Sequence, residues 1–140
     1  MANAFLLPRP LARLFDKLGL DVDSCMRADG RCSLFYDSGR LDIYPLPGGR
    51  LVLEASVAPL PTDLKEKRAI LEPALRFSAM NLKKRHDTLT SSASQDELLL
   101  QHDLGVVSEL FALETGIAQF LNAVNYWRMY MNKATKMTLR

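Results

Sequence analysis

Residues 31–58 read RCSLFYDSGRLDIYPLPGGRLVLEASVA, and this stretch decides the fold. Apolar and polar side chains alternate in three runs, which predict strands over residues 31–37, 41–46 and 50–58. Turn residues separate the runs, most clearly Pro47-Gly48-Gly49, because glycine adopts positive φ freely. The stretch therefore predicts an antiparallel meander with one apolar face and one more polar face.

Helices are expected on both sides of this meander. The first covers residues 10–18, where four large apolar side chains recur at the spacing of one helix face: Leu11, Leu14, Phe15 and Leu18. Pro10 suits its first turn and Gly19 its end. The longest helix covers residues 106–131 near the end of the chain.

A further helix is predicted over residues 62–84, starting at a cap formed by Thr62 or Asp63. It contains Pro73, and an interior proline kinks or breaks a helix. The sequence therefore predicts either a kink near residues 69–70 or two segments, the second starting around Glu72.

Two more strands are predicted over residues 88–93 and 97–102, with a polar hairpin loop at 94–96. The fold class is α+β: helix, three strands, helix, two strands and long helix, forming an antiparallel twisted sheet with three helices. One domain is expected over residues 1–140, with residues 132–140 as a frayed polar tail.

Composition narrows the function classes. The 140 residues are 48% apolar and 24% charged, which is typical of a globular protein, and the formal charge of +2 is too mild to require nucleic acid. The two cysteines are expected to be reduced. No apolar run approaches the length of a membrane span, and no secretory signal is recognised, so we expect a cytoplasmic protein.

The distribution of histidines, cysteines and sequence motifs predicts no catalytic residue, no metal site and no cofactor. The histidines, His86 and His102, lie in different segments, and Cys25 and Cys32 have no second pair with which to bind zinc. No segment matches a phosphate-binding or dinucleotide fingerprint. We therefore expect a protein that is not an enzyme.

Apolar side chains are more numerous than one sheet and three helices would need. Large exposed apolar patches mark interaction sites, so self-association and a protein ligand are the leading interpretation. A two-turn helix with four large apolar residues cannot bury all of them against one sheet edge. We predict a ligand-binding groove with anchors on the first helix and neighbours on the fifth strand: Leu11, Leu14, Phe15, Leu18, Leu98 and Leu100.

The order of elements resembles that of the class I chaperones of type III secretion, the family of the chaperone for the translocated intimin receptor. The likeness covers nearly the whole chain. It includes the leucine-rich first helix, the turn at Asp29-Gly30 into a strand, and the proline-bearing loop Ala58-Pro59-Leu60-Pro61. It also includes the leucine run of the second helix and the aromatic last helix with Trp127.

The resemblance implies a cytoplasmic homodimer from a Gram-negative bacterium that binds the N-terminal segment of a secreted effector in an extended form and keeps it secretion-competent. It implies a dimer interface on the second helix, predicted at Leu71, Ala74, Leu75 and Ser78. It also admits the ATPase of the secretion apparatus as a partner. The alternatives are another interaction or scaffold module, a nucleic-acid-binding module suggested by Lys83-Lys84-Arg85, and a small enzyme with an unrecognised site.

Overall fold

A computed structural model describes the chain over residues 7–36, 39–80 and 87–138, and its side chains apart from those of Met80 and residues 134–138. Four helices and five strands lie in these ranges. In chain order they are α1 (Arg9–Leu18), α2 (Val22–Cys25), β1 (Cys32–Tyr36), β2 (Gly39–Leu46), β3 (Arg50–Pro59), α3 (Leu64–Met80), β4 (Thr88–Ser91), β5 (Glu97–Val106) and α4 (Leu110–Thr138). The predicted α+β class and element order are confirmed, and the short helix α2 is an addition.

The strands form one sheet in the order β1-β2-β3-β5-β4. The meander is antiparallel as predicted, with Cys32 opposite Ile43 and Ile43 opposite Leu53. β4 and β5 are also antiparallel, with Leu89 opposite Leu100. These pairings place the apolar side chains of each strand on one face, because side chains alternate along a strand.

The first helix begins and ends close to its predicted limits. Pro10 lies in its first turn, and Gly19 at its C-terminal end has a φ of 69°, a left-handed conformation that glycine adopts without steric cost. The sequence also predicts a turn at Ser38-Gly39 between the first two strands; Gly39 begins β2, and residues 37–38 lie outside the described part of the chain.

The helix α3 is continuous through Pro73, so the expectation of two segments is wrong. Of the two capping candidates, Asp63 makes the cap: its Oδ1 accepts a hydrogen bond from the Lys65 N–H at 2.9 Å. The predicted extension of this helix, together with the basic run and His86, falls on residues 81–86, which lie outside the described part of the chain.

The predicted limits of the last helix are wrong at both ends. Strand β5 continues to Val106, so the helix begins only at Leu110, and its backbone stays helical to Thr138 instead of ending at residue 131. Gly116 permits a close approach to β5, because a Cβ at this position would lie 2.7 Å from Leu104 Cδ2.

Two compact units divide the chain. Unit 1 comprises residues 1–54 and 103–120, and unit 2 comprises residues 55–102 and 121–140. Unit 1 buries apolar side chains of α1, of the meander and of the first part of α4, where the buried residues are Leu113 and Phe120. Unit 2 buries apolar side chains of β3, α3 and β5, and Trp127 and Met131 of α4. The single-domain expectation stays a prediction.

Candidate protein-binding surfaces

Helix α1 carries four of the predicted ligand anchors, all in unit 1. Leu11 and Phe15 are fully buried and Leu14 is nearly so, whereas Leu18 is 54% exposed. The other two predicted anchors, Leu98 and Leu100 of β5, belong to unit 2 and are also buried. A binding role for these six residues stays a prediction, and Leu18 is the one that a ligand reaches without rearrangement of the chain.

Helix α3 has two distinct faces, and the predicted dimer residues are divided between them. Ile70 and Ala74 are buried in unit 2. Leu75 is 55% exposed, Leu64 is exposed too, and Leu71 is half-buried. Because helical residues seven or eleven positions apart share a face, these three leucines form one outward stripe. Ser78, which is half-buried, borders it.

An aromatic cluster holds α3 against α4 within unit 2. The ring of Phe77 stacks on Tyr130 with centroids 4.5 Å apart and on Tyr126 at 5.8 Å, and it meets Trp127 edge-on at 5.2 Å. The Tyr130 hydroxyl also donates a hydrogen bond to the Pro73 carbonyl at 3.4 Å. These contacts turn the buried face of α3 inward and leave its leucine stripe in solvent.

Unit 2 also contains a cavity of about 550 Å³. Its walls are residues 57–61 at the end of β3 and in the following loop, Glu66 and Ile70 of α3, and Arg128, Met131 and Asn132 of α4. The Nε of Arg128 donates a hydrogen bond to the Ser56 carbonyl at 3.1 Å, which fixes the side chain at the cavity wall. The cavity could not be predicted from the sequence, because its residues come from three separate segments.

Large apolar side chains are exposed on both units. Phe35 is 74% exposed and Phe111 is 78% exposed, which is unusual for phenylalanine. The other exposed members are Leu18, Leu20, Leu46, Leu64, Leu75, Val106, Tyr126 and Met129. Strand alternation placed Phe35 opposite the core-facing Leu34, so its exposure could have been expected from the sequence. The apolar pattern of the last helix predicts Phe111 on its buried face, and the exposure of this side chain shows that the prediction is wrong.

The second face of the meander carries a polar network. The Ser33 hydroxyl donates to Asp42 Oδ1 at 2.6 Å, and the Arg31 guanidinium contacts Asp42 Oδ2 at 3.0 Å. Arg31 also donates to the Tyr44 hydroxyl at 3.2 Å, and Tyr44 donates to Glu54 at 3.1 Å. Burial and the Glu54 carboxylate raise the pKa of Tyr44, so it remains a donor at neutral pH.

The expected wet face is therefore buried at its centre. Asp42 is only 3% exposed, and Ser33 and Glu54 are also buried. Each buried group has a hydrogen-bond partner, as burial of a charge requires. The arrangement is structural, because every described contact of the Asp42 carboxylate is to a side chain of unit 1.

The candidate reactive groups that the structure describes each have their own surroundings. Burial and the neighbouring Cys25 raise the pKa of the Cys32 thiol to about 11, and burial raises that of Cys25. His102 Nδ1 lies 3.0 Å from Asp87 Oδ1, and Asp103 pairs with Arg50 instead. Within the described ranges no three metal-ligating side chains cluster, and no helix there is long and apolar enough to cross a membrane.

Comparison with known proteins identifies the family to which this chain belongs. The model of the Tir chaperone protein (CesT) family matches residues 9–128 of this sequence. The chain belongs to the Tir chaperone protein family. The resemblance to class I type III secretion chaperones drawn from the sequence is thereby confirmed.

The fold of this Tir chaperone family member is also found among solved structures. A chain in the crystal structure of the ExsC–ExsE complex is similar, with a TM-score of 0.64 and 21% identity over 88% of this chain and 91% of that chain. At this identity the likeness establishes the fold. A comparison with curated protein sequences finds no match.

Proposed function

We propose that this Tir chaperone family member works in the cytoplasm as a homodimer that binds the N-terminal segment of a type III secreted effector. The segment stays extended and non-globular, and it is thereby kept soluble and ready for secretion. The action is binding, without catalytic turnover. On the resemblance alone, the host is a Gram-negative bacterium and the ATPase of the secretion apparatus is a second partner.

The observation that carries this proposal is the apolar surface of a chain that belongs to a chaperone family. Ten large apolar side chains are exposed among the described residues, and several lie on helices where a partner can cover them. The solved neighbour was crystallised as a complex of ExsC with ExsE, which supports a binding role. An extended segment spreads its contacts over such scattered patches more readily than a compact partner does.

The proposed dimer interface is the outward stripe of α3, formed by Leu64, Leu71 and Leu75. A monomer leaves this stripe in water, whereas a symmetric pair of helices buries it against its own copy. Ser78 borders the stripe and stays in the proposed interface. Ala74 faces the interior of unit 2, so its proposed role is to let α3 pack closely and to hold the stripe outward.

The proposed effector anchors remain the six residues predicted from the sequence, with Leu18 as the accessible member. The buried members, Leu11, Leu14, Phe15, Leu98 and Leu100, act in this proposal by supporting the surface from below. Only a displacement of α1 or β5 would expose them to a ligand.

The test is co-expression of the full chain with the N-terminal segments of secreted proteins from the same bacterium, each carrying an affinity tag. We expect one segment to retain the chaperone on the tag and to become soluble only in its presence. Light scattering should give about twice 15.7 kDa for the chaperone alone. Proteolysis of the complex should protect the segment while its circular dichroism shows no independent globular fold. A clean monomer that retains no segment would disprove the proposal.

A further inference from the structure

We infer that the cavity of unit 2 receives a stretch of the partner that is both apolar and acidic. This inference rests on the proposed function and specifies the chemistry of the bound segment. An apolar side chain enters the cavity, and carboxylates beside it are attracted by Arg128 of the cavity wall and by the surplus cations of the same unit.

The cavity has the dimensions and walls of a site for a side chain. Its volume of about 550 Å³ lies within the range of roughly 300–1,000 Å³ usual for ligand pockets. Val57, Leu60, Ile70 and Met131 give it an apolar interior. These four side chains are buried in the rest of the chain, so the walls are set by packing before any ligand arrives.

Arg128 gives the cavity a fixed cation. Its Nε is held by the Ser56 carbonyl, so the orientation of the guanidinium does not depend on a ligand. A guanidinium keeps its positive charge whatever hydrogen bonds it makes, so it attracts a carboxylate to the cavity wall. The position of Arg128 beside an apolar interior therefore favours an acidic residue next to an apolar one.

The charge distribution of the chain points the same way. Unit 2 contains eleven lysines and arginines and six aspartates and glutamates, whereas unit 1 contains seven and ten. The small net charge of the whole chain thus conceals a basic unit and an acidic one. Complementary charge raises the association rate and selects among partners.

The carboxylates of unit 2 are partly engaged within the protein. Asp63 caps α3, Asp87 faces His102, and Asp96 accepts hydrogen bonds from the hydroxyls of Ser94 and Ser92. The hydrogen bonds from Ser94 and Ser92 lower the pKa of Asp96, which keeps it charged and satisfied.

Several cations of unit 2 are, in contrast, exposed and make no ion pair with another described residue. They are Lys65, Arg76 and Lys133. Glu66 is the carboxylate on the cavity wall, but it is exposed and lies between Lys65 and Lys67 in the chain. The surplus positive charge is available to a partner, and Lys133 directly follows Asn132 of the cavity wall.

The test uses three synthetic peptides of equal length with the same leucine positions. The intervening residues are all glutamate, all lysine or all serine. Binding is measured by calorimetry and by the fluorescence of Trp127, the only tryptophan of the chain. We expect the glutamate peptide to bind at least about tenfold more tightly than the lysine peptide at low salt, and to weaken as salt screens the charges.

Two pairs of variants locate the site. Asn132→Trp, an exposed position on the cavity wall, should weaken binding of the glutamate peptide about tenfold or more by blocking the cavity. Asn122→Trp, an exposed position on the same helix away from the cavity, should leave binding unchanged. Lys133→Glu should weaken the glutamate peptide and strengthen the lysine peptide, whereas Arg13→Glu in unit 1 should do neither.

Equal or tighter binding of the lysine peptide would overturn the inference. So would unchanged affinity in both Asn132→Trp and Lys133→Glu, provided that circular dichroism shows them folded. If Asn132→Trp does not fold, the Lys133→Glu pair decides. A tagged effector segment that still co-purifies with variants lacking peptide binding would refute the cavity and leave the proposed function intact. If no segment binds the wild-type chain, the proposed function fails instead.

Discussion

Helices α1 and α3 are both amphipathic by sequence, yet they use their apolar residues in opposite ways. α1 buries its large side chains Leu11 and Phe15 and exposes only Leu18 at its end. α3 presents small Ala74 to the interior and leaves the larger Leu75 in solvent. Alanine at a buried position lets a helix approach its neighbours closely, whereas leucine at an exposed position has nothing to cover it within the chain. The difference places the large side chains of α1 in the core of its own unit and leaves the outward leucines of α3 for the proposed dimer interface.

The largest effect is expected from truncation of a large buried side chain of α1. Phe15→Ala should lower the free energy of unfolding by about 3–5 kcal/mol, because it removes buried surface and leaves a cavity. Leu18→Ala, one turn further along, should cost less than about 1 kcal/mol because the side chain already contacts water. Urea unfolding at one fixed protein concentration measures both. Similar losses in the two variants would contradict the assignment of α1 to the core.

The matching change on α3 should separate folding from association. Leu75→Asp should weaken the dimer by at least about tenfold, since burial of a leucine is worth about 1.5–3 kcal/mol. Ala74→Asp should unfold the chain instead, because an unpaired buried charge costs several kcal/mol.

Sedimentation over a dilution series measures the Leu75→Asp effect, and circular dichroism should show that this variant keeps the native spectrum. A Leu75→Asp protein that remains dimeric at every concentration would rule out the proposed stripe.

The pH dependence of the free energy of unfolding tests the core of unit 1, which contains α1 and Cys32. Burial raises the pKa of the Cys32 thiol from 9.0 to about 11 in the folded chain. A raised pKa means that the neutral thiol stabilises the fold fully below pH 9. That contribution, about 3 kcal/mol, should be lost as the pH rises from 9 towards 11.

Chemical unfolding between pH 8 and 11 tests this expectation, with Cys32→Ala as the comparison. The variant should start less stable and should fall less steeply over the same range. Rapid alkylation of Cys32 in the native protein at neutral pH would show that the thiol is not buried as described.

The smallest effect on the free energy of unfolding is expected at the contact between Tyr130 of α4 and Pro73 of α3. Tyr130→Phe removes the hydroxyl that donates to the Pro73 carbonyl but keeps the ring that stacks on Phe77. At 3.4 Å this hydrogen bond is long, so we expect a loss of about 1 kcal/mol or less in unfolding free energy. A larger loss for Tyr130→Phe than for Phe15→Ala would reverse the ranking of the two helices.

The sequence predicted the elements well where periodicity and turn residues coincide. The meander, the order of elements and the ends of α1 followed from alternation and from Gly19 and Pro47-Gly48-Gly49. The prediction of two helical segments around Pro73 was wrong because propensity does not include tertiary contacts. The contacts of Phe77 with α4 stabilise α3 although proline would break an isolated helix. The start of α4 was missed because residues 103–109 show no clear period of either kind.

The candidate surfaces were harder to predict than the fold. The spacing of apolar residues predicts that Leu11 and Leu18 lie on one face of a helix, and it predicts the same for Leu71 and Leu75 on another helix. It does not predict which of these side chains the rest of the chain covers. Burial depends on what packs opposite, and that partner lies far away in sequence. The cavity and the orientation of Arg128 depend on contacts among three segments that are far apart in the sequence. The periodicity of one segment does not predict such contacts.

The polar network on the second face of the meander has a further consequence for how the chain avoids wrong structures. Ser33, Asp42 and Glu54 lie directly across neighbouring strands, so their contacts form only in one alignment. Slippage by a single residue would turn the Asp42 carboxylate towards the apolar interior, at a cost of several kcal/mol. Because β1 is an edge strand and pairs with β2 alone, this penalty fixes the register of its single pairing. The same polar contacts that satisfy the buried carboxylates therefore also act as a check on strand register at this edge of the sheet.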